Sequence, residues 1–269
     1  MSKTASAHTT FLLPLELQGT EITLECQWIN PEQTDAELLV FLHEGLGSVS
    51  MWKDWPAQMC RAAGCRGLVF SRYGYGQSTP RPLDQPRSPD YLHIEAEYAL
   101  PALFSALGIA NERPVLFGHS DGGSIALLYA ALYPERVKGI AVAAPHIFVE
   151  DITIEGIRAA RAIYLSTELR QILGRYHGDP DSVFWSWNDT WLKPDFRNWN
   201  IEKLVTQIRC PVLAIQGEND EYGSLEQIEG IKRLAPQTEL CILADCGHIP
   251  QRDQPAALIR ELSGFINRL

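Results

Sequence analysis

Short apolar runs recur along the chain, and stretches of helical length separate most of them. A continuously apolar run of strand length is typical of a strand that is covered on both faces. The runs lie at residues 37–42, 66–71, 114–118, 137–145, 211–217 and 239–245. The helical patterns lie at residues 52–63, 91–107, 121–133 and 254–268. This alternation of strands and helices predicts βαβ units and a mostly parallel sheet.

The first two strands follow a different pattern. Residues 21–28 alternate between apolar and polar side chains, and residues 11–17 precede them across Gly19. A period of two is typical of a strand with one face in solvent, so the two segments predict an antiparallel hairpin. Together with the six apolar runs, this hairpin brings the predicted sheet to eight strands.

Residues 146–205 interrupt the alternation, since they contain no run of the buried-strand type. They hold helical patterns at residues 152–173 and 182–191 and four of the seven tryptophans. Because an irregular loop of that length is uncommon in a compact domain, we predict an inserted helical cap. The predicted organisation is a core domain of residues 1–145 and 206–269 that carries a cap of residues 146–205.

The net charge of −10 narrows the set of partners to expect. An acidic chain without a dense run of Lys or Arg repels a phosphate backbone, so we expect no nucleic-acid binding. The N-terminal apolar run is broken by Pro14 and Glu16, and no stretch approaches the roughly 18 apolar residues of a membrane span. The six cysteines form no CxxC pair, which indicates reduced thiols. These features predict a cytoplasmic protein without a membrane partner, either a monomer or a homo-oligomer.

One apolar run ends in the sequence GHSDG at residues 118–122, which has the form GxSxG. A serine at a sharp turn from a strand to a helix needs small residues two positions before and after it, because the two chain segments pass closely there. Ser120 is therefore predicted to be a nucleophile. The helix that follows adds its positive N-terminal end, and the backbone N–H of Asp121 is predicted to be one donor to an oxyanion.

A serine hydroxyl is a weak nucleophile at neutral pH and needs a base, which in turn needs an acid to orient it. His248 follows the last apolar run, where sheets of this kind carry their sites, and is predicted to be the base. Asp220 follows the preceding run and is favoured as the acid. Glu218 and Asp245 are its rivals, although Asp245 lies only three residues before His248 and is better suited to fix the loop.

The loop after the first apolar run reads HEGLGS, residues 43–48. Glycine lets backbone N–H groups approach a substrate oxygen, and Gly45 is predicted to be the second oxyanion donor. The His, Cys and Asp residues show no spacing typical of metal ligands. We therefore expect neither a metal nor another cofactor.

Four ordered segments carry a resemblance to the α/β-hydrolase superfamily that covers nearly the whole chain. They are HEGLGS at residues 43–48, GHSDGG at 118–123, GENDEYG at 217–223 and CGHIPQRDQP at 246–255. The resemblance implies an α/β-hydrolase fold in which these segments supply the oxyanion loop, the nucleophile, the acid and the base. It also implies that the cap is inserted between the sixth and seventh main strands.

Two loops depart from the pattern of that superfamily. Glu44 follows His43 where such proteins usually have glycine, which places a carboxylate near the entrance of the site. The loop after the fourth strand usually reads DxRGxGxS, whereas SRYGYGQS has Ser71 and Tyr73 at the Asp and Arg positions.

The aromatic residues of the predicted cap indicate what kind of substrate reaches Ser120. Trp185, Trp187 and Trp191 are predicted to line an apolar pocket for a small-molecule substrate, together with Glu44. We therefore predict a serine esterase that cleaves a small apolar or aromatic carboxylic ester through an acyl-enzyme on Ser120.

Two other functions remain as alternatives. Proteins of similar fold hydrolyse carbon–carbon bonds in vinylogous diketones formed by meta-cleavage. Those proteins usually carry a Trp shortly after the catalytic His, whereas this chain has Ile-Pro-Gln at residues 249–251. The third and least favoured function is that of a ligand-binding receptor on a hydrolase fold, which an intact set of serine, histidine and aspartate argues against.

Overall fold

The computed structural model of the protein describes residues 8–269, and its strands form one eight-stranded sheet. The strands are β1 (His8–Leu17), β2 (Thr20–Ile29), β3 (Leu38–Leu42), β4 (Arg66–Phe70), β5 (Val115–His119), β6 (Gly139–Ala143), β7 (Val212–Gly217) and β8 (Thr238–Leu243). They are arranged in the order β1-β2-β4-β3-β5-β6-β7-β8. The pairs β1/β2 and β2/β4 are antiparallel, and all pairs from β4 to β8 are parallel. The predicted eight-stranded, mostly parallel sheet is confirmed.

Helices flank the sheet and fill the connections between its parallel strands. The α-helices are α1 (Trp55–Ala63), α2 (Tyr91–Ile94), α3 (Leu100–Ala106), α4 (Asp121–Leu132), α5 (Asp151–Ser166), α6 (Leu169–Leu173), α7 (Pro180–Trp191), α8 (Glu202–Val205), α9 (Glu226–Leu234), α10 (Pro250–Asp253) and α11 (Pro255–Ile266). A single π-helical turn, Glu95–Ala99, joins α2 to α3.

Two apolar cores form because neighbouring residues of a strand point to opposite faces of the sheet. Phe41 and Phe117 pack with α1 and α11 in one core, whereas Val40 and Leu116 pack with α3 and α4 in the other. Every residue of β3, β5 and β6 is buried, which explains why these strands are continuously apolar. Helix α4 follows Ser120 directly and is buried at 11 of its 12 positions, so the core holds the turn at Ser120 rigidly.

The sequence analysis predicts that β8 is covered on both faces, and this prediction is wrong. It lies at the edge of the sheet, and Leu240 and Ile242 are 40% and 48% exposed. An apolar run gives the composition of a strand but not its place in the sheet, so sequence alone does not separate an edge strand from a central one.

The insertion segment, residues 146–205, lies between β6 and β7 and contains helices α5 to α8. The helix predicted at residues 152–173 is divided into α5 and α6, because Thr167 adopts an extended conformation. His177 ties this segment to the core. Its Nδ1 accepts the Gly76 N–H at 2.9 Å, and its Nε2–H donates to the Leu46 carbonyl at 2.9 Å.

Within residues 8–269, no helix is long and apolar enough to cross a bilayer.

Candidate active site

Ser120 lies at a sharp turn between β5 and α4, with φ of 54° and ψ of −117°. A non-glycine residue with positive φ is uncommon and strained, and such strain is often found at functional sites. The flanking glycines make the turn possible. A Cβ on Gly118 would lie 2.1 Å from the Gly122 carbonyl oxygen, and a Cβ on Gly122 would lie 2.1 Å from the Leu42 carbonyl oxygen. Neither position accepts a side chain.

The structure brings Ser120, His248 and Asp220 together from three different loops. The Ser120 Oγ lies 2.9 Å from His248 Nε2, and His248 Nδ1 lies 2.8 Å and 2.9 Å from the two Asp220 carboxylate oxygens. The rivals Glu218 and Asp245 are both exposed. Asp220 is therefore the carboxylate that orients the imidazole in this structure.

Two further groups fix the Asp220 carboxylate. It accepts hydrogen bonds from the Tyr222 N–H at 2.8 Å and from Gln216 Nε2 at 2.6 Å. Burial alone would raise the pKa of Asp220, but the charge and hydrogen bond of His248 hold this pKa below its ordinary value. The carboxylate is ionised at neutral pH and favours the His248 tautomer that carries its proton on Nδ1, which leaves Nε2 free to take the Ser120 proton.

The backbone of His248 is held from both sides by residues that the sequence analysis did not assign to the site. The His248 N–H donates to Glu221 Oε2 at 3.1 Å, and the His248 carbonyl accepts from His119 Nε2 at 2.6 Å. The Tyr222 ring packs on the imidazole with 4.7 Å between ring centroids. The position of Glu221 and Tyr222 directly after Asp220 was the available signal.

Three hydrogen bonds to the Glu44 carbonyl oxygen fix the orientation of the peptide between Glu44 and Gly45. That oxygen accepts from His43 Nδ1 at 2.7 Å, from the Gly47 N–H at 3.1 Å and from Arg72 Nη2 at 3.0 Å. In a trans peptide the N–H points away from the carbonyl oxygen, so the Gly45 N–H is directed away from these three donors. The Asp121 N–H is the first of α4, where helix geometry offers it no intrahelical acceptor. The two predicted oxyanion donors thus have fixed backbone orientations.

Arg72 is the main residue that the sequence analysis missed. Its guanidinium bonds the Glu44 carbonyl and also lies 3.2 Å from Asp121 Oδ2, which in addition accepts the Tyr91 hydroxyl at 2.7 Å. The side chains of Arg72 and Asp121 are 1% and 0% exposed. One buried side chain therefore contacts Asp121 and the carbonyl of the peptide that carries the Gly45 N–H. The family pattern places its arginine at Tyr73, one residue later, and so concealed this one.

A cavity of about 380 Å³ opens beside Ser120, and its walls are mostly apolar. Of the four residues predicted to line a pocket, Glu44, Trp187 and Trp191 do so, as does the predicted oxyanion donor Gly45. His146, which the sequence analysis assigned to the cap, also lines this cavity.

Trp185 does not line the cavity, and that prediction is wrong. It packs instead against Arg161, Tyr164 and Phe184. Residues three or four apart share a face of a helix, whereas residues two apart point in nearly opposite directions. Trp187 and Trp191 therefore face the cavity together, and Trp185 faces away from it.

The cavity also contains charge. Glu44 Oε2 lies 3.5 Å from His119 Nδ1, and its side chain is 23% exposed. Burial disfavours the charged form of Glu44, yet the hydrogen bond and charge of His119 and the charge of His43 lower its pKa to about 2. The carboxylate is therefore ionised beside Ser120 at neutral pH. Glu221 and Arg252 are the other charged groups of the lining.

The part of the chain that the structure describes contains no group of three or more His, Cys, Asp or Glu residues arranged to hold a metal ion. All six cysteines are free thiols, and five of them are buried.

The sheet order and the strand-to-helix turn at Ser120 place the protein in the class of α/β-hydrolase folds. A model of the alpha/beta hydrolase family matches residues 39–261. This match spans most of the chain, so the protein belongs to the alpha/beta hydrolase family and is a hydrolase enzyme.

Two relatives and one solved structure illustrate the similarity. Lipase 1 of Psychrobacter immobilis is 25% identical over 68% of this chain and 63% of the lipase, so the chain spans less than two thirds of that relative. The 2-hydroxy-6-oxononadienedioate/2-hydroxy-6-oxononatrienedioate hydrolase of Comamonas testosteroni is 23% identical over 86% of this chain and 88% of that protein. A thermophilic esterase from Thermogutta terrifontis superposes with a TM-score of 0.73 at 18% identity, covering 97% of this chain and 98% of that one. This last likeness concerns the fold.

Proposed function

We propose that the protein is a serine hydrolase that cleaves small apolar or aromatic carboxylic esters through an acyl-enzyme on Ser120. The observation that carries the proposal is the 2.9 Å distance between Ser120 Oγ and His248 Nε2, with Asp220 on the far side of the imidazole. A hydroxyl in contact with an oriented base is what nucleophilic acyl transfer requires.

In the first half of the reaction, Ser120 Oγ attacks the ester carbonyl carbon and its proton passes to His248 Nε2. The carbonyl oxygen becomes an oxyanion that accepts hydrogen bonds from the backbone N–H groups of Gly45 and Asp121. The tetrahedral intermediate then breaks the bond to the alcohol, which leaves with the proton from His248. The acyl group stays on Ser120.

In the second half, a water molecule attacks the acyl carbon and gives its proton to His248. The new tetrahedral intermediate breaks the bond to Ser120 Oγ, which recovers its proton from the imidazole, and the carboxylic acid leaves. Asp220 stays ionised throughout and stabilises the imidazolium that forms twice in the cycle.

The apolar cavity beside Ser120 supports the proposal that the acyl or alcohol group of the substrate is apolar and binds there. Its volume of about 380 Å³ suits a small ester, and Trp187 and Trp191 offer it aromatic walls. In this proposal the insertion segment acts as a cap domain over a core domain of residues 1–145 and 206–269, and the cap determines which esters enter.

The second candidate is hydrolysis of a carbon–carbon bond in a vinylogous diketone. It is supported by the relative from Comamonas testosteroni, whose name describes a hydrolase of oxononadienedioates and whose match covers 86% of this chain. The ionised Glu44 beside Ser120 counts against it, because a dioate carries negative charge that this carboxylate repels.

Labelling with a fluorescent phosphonate tests the nucleophile. The wild-type protein is expected to react, Ser120→Ala is expected not to react, and Ser105→Ala serves as the matched control because Ser105 is exposed on α3. Equal labelling of the Ser120→Ala variant, or none of the wild type, would contradict the proposal.

Turnover then separates the two reactions. A series of p-nitrophenyl esters of increasing acyl length is compared with a meta-cleavage dienoate under the same conditions. Turnover of the esters supports the esterase, whereas turnover of the dienoate with no ester would favour the second candidate. A protein that binds esters but turns over neither substrate would instead act as a receptor.

A further inference from the structure

A second cavity, of about 590 Å³, lies under the loop of residues 79–88, between the β1–β2 hairpin and helix α2. It has no lining residue in common with the cavity beside Ser120. Its walls include Arg81, Arg87 and Glu95, together with the aromatic rings of Tyr73 and Tyr91. Nothing in the proposed ester hydrolysis uses it.

The guanidiniums of Arg81 and Arg87 line this cavity, and the Tyr75 ring joins Arg87 to a third guanidinium, that of Arg72. We call these three residues the arginine cluster. Each is stacked on a tyrosine ring. Arg81 lies 4.6 Å from the centre of Tyr73, and Tyr75 is held between Arg72 and Arg87 at 4.7 Å and 4.6 Å. Arg72 is 1% and Arg87 is 3% exposed. The rings fix the guanidiniums in place but supply no negative charge.

Three buried carboxylates lie near the arginine cluster. Asp121 pairs with Arg72, and Glu95 is buried among the three guanidiniums. Glu25 is also buried but accepts its hydrogen bonds from the Ser71 hydroxyl and the Gln77 N–H. These neutral donors leave the charge of Glu25 in place, so the three guanidiniums face three carboxylates. Burial is the largest influence on Glu95 and raises its pKa.

Several donors around the cavity are also unused. Within residues 8–269, Arg81 Nε and Arg87 Nη2 of the lining are buried without a hydrogen-bond partner, as is the hydroxyl of Tyr75, which does not line the cavity. Arg87 uses its Nε, which donates to Ser186 Oγ at 3.2 Å. A buried charged donor without an acceptor is costly, and native proteins rarely leave one so. An anion in the cavity would supply the missing acceptors.

We propose that this cavity is a binding site for a small carboxylate with an apolar body. The unpartnered guanidinium donors of Arg81 and Arg87 select an anion, and their planar shape suits the two oxygens of a carboxylate. Pro80, Pro82 and Pro86 form apolar parts of the wall that would contact the rest of the molecule. The site stands independently of the proposed ester hydrolysis.

The site is connected by hydrogen bonds to helix α7 and to Lys193, which follows this helix. The Ser182 hydroxyl donates to the Arg81 carbonyl at 2.6 Å, and Lys193 Nζ donates to the Arg87 carbonyl at 2.7 Å. Trp191 Nε1, whose ring lines the cavity beside Ser120, donates to the Tyr91 hydroxyl at 2.9 Å. Carboxylate binding is therefore expected to change the fluorescence of Trp191, which provides a spectroscopic signal of occupancy.

Isothermal titration calorimetry with benzoate at low ionic strength tests the site directly. The wild type and Arg61→Gln, an exposed charge-matched control on α1, are expected to bind one benzoate per chain. Arg81→Gln removes a charged donor and is expected to weaken binding at least about tenfold. Glu95→Gln removes negative charge and is expected to tighten it. A variant that was merely damaged would not tighten, and melting curves check that each variant is folded.

The neutral analogue benzamide and inorganic phosphate complete the design. Benzamide is expected not to bind, and phosphate is expected to bind more weakly than benzoate. Binding of benzoate that Arg81→Gln leaves unchanged would place the ligand elsewhere, for example beside Ser120, and would overturn the proposal. Equal affinity for benzamide, a preference for phosphate, or no saturable binding of benzoate at millimolar concentration would overturn it as well. Because the assay measures heat rather than turnover, its outcome does not depend on the esterase proposal.

Discussion

Arg72 is the residue whose replacement tests the site most sharply. Its guanidinium makes two contacts, one with the Glu44 carbonyl at 3.0 Å and one with Asp121 Oδ2 at 3.2 Å. Arg72→Met keeps much of the side-chain volume but removes both contacts. The Asp121 carboxylate is then left fully buried with the Tyr91 hydroxyl as its remaining partner.

The expected loss of stability follows from that buried charge. Removing one partner of a buried ion pair typically costs about 3–5 kcal/mol, because the other charge stays uncompensated. A separate loss is expected in catalysis. When the Glu44 carbonyl loses one of its donors, the Gly45 N–H is less firmly oriented, and loss of one oxyanion donor typically lowers kcat about 10²- to 10³-fold.

A double variant separates these two effects. Asp121→Asn on the Arg72→Met background removes the stranded charge, while the backbone N–H of residue 121 is retained. We expect urea unfolding to show that most of the lost stability returns, whereas kcat on a p-nitrophenyl ester stays low because the bond to the Glu44 carbonyl is still missing. If kcat recovers together with stability, Arg72 acts through the fold alone and the argument that it positions the oxyanion loop is refuted.

Three further outcomes follow from the cavity beside Ser120. Gly45→Ala would place a Cβ 2.2 Å from Trp187 Nε1, so we expect kcat/KM to fall at least about tenfold. Adding Trp187→Ala removes this clash and should restore part of kcat/KM, whereas an unchanged kcat/KM in Gly45→Ala would contradict the argument. Trp187→Ala alone should raise KM for aromatic esters roughly tenfold, whereas Trp185→Ala, on the other face of α7, should leave KM unchanged. Similar KM values for the two variants would contradict the assigned faces. The pKa of Glu44 is lowered from 4.5 to about 2, so its contribution of about 3 kcal/mol is full above pH 4.5 and is lost as pH falls toward 2. The difference in unfolding free energy between wild type and Glu44→Gln should therefore shrink to less than half between pH 7 and pH 3 in urea titrations, and a constant difference would contradict it.

Local pattern predicts the sheet well because burial on both faces leaves a direct mark on composition. Strands β3, β5 and β6 are apolar at nearly every position since helices cover them on both sides. Composition gives the wrong prediction for β8, because an edge strand with an apolar sequence cannot be distinguished from a central strand until its neighbours are known. Position in a sheet is a property of the whole chain and is not encoded within one strand.

The candidate site divides in a similar way. The contacts of Ser120, His248 and Asp220 could be anticipated, since each follows a parallel strand and the carboxyl ends of such strands meet at one edge of the sheet. Arg72 could not, because its partners lie 28 and 49 residues away and no local pattern announces a buried ion pair. For Trp185, the periodicity of the helix is sufficient to contradict the prediction, because residues two apart, such as Trp185 and Trp187, point in nearly opposite directions.

His177 gives the attachment of the insertion segment a dependence on proton concentration. Its Nδ1 must keep a lone pair to accept the Gly76 N–H. In a protonated imidazole Nδ1 carries a proton, so the Nδ1–H and the Gly76 N–H would repel each other and this hydrogen bond would be lost. Burial lowers the pKa of His177, which means that the unfolded chain takes up this proton more readily than the folded one and that stability is lost as the pH falls below the ordinary histidine value. In mildly acidic solution the insertion segment should therefore loosen from the core while the sheet persists. The measurement is hydrogen exchange of the Gly76 amide at pH 7 and pH 5.5, with each rate divided by the intrinsic rate at that pH. We expect lower protection at pH 5.5 in the wild type and no such difference in His177→Gln. Equal protection of the wild type at both pH values would rule out the argument.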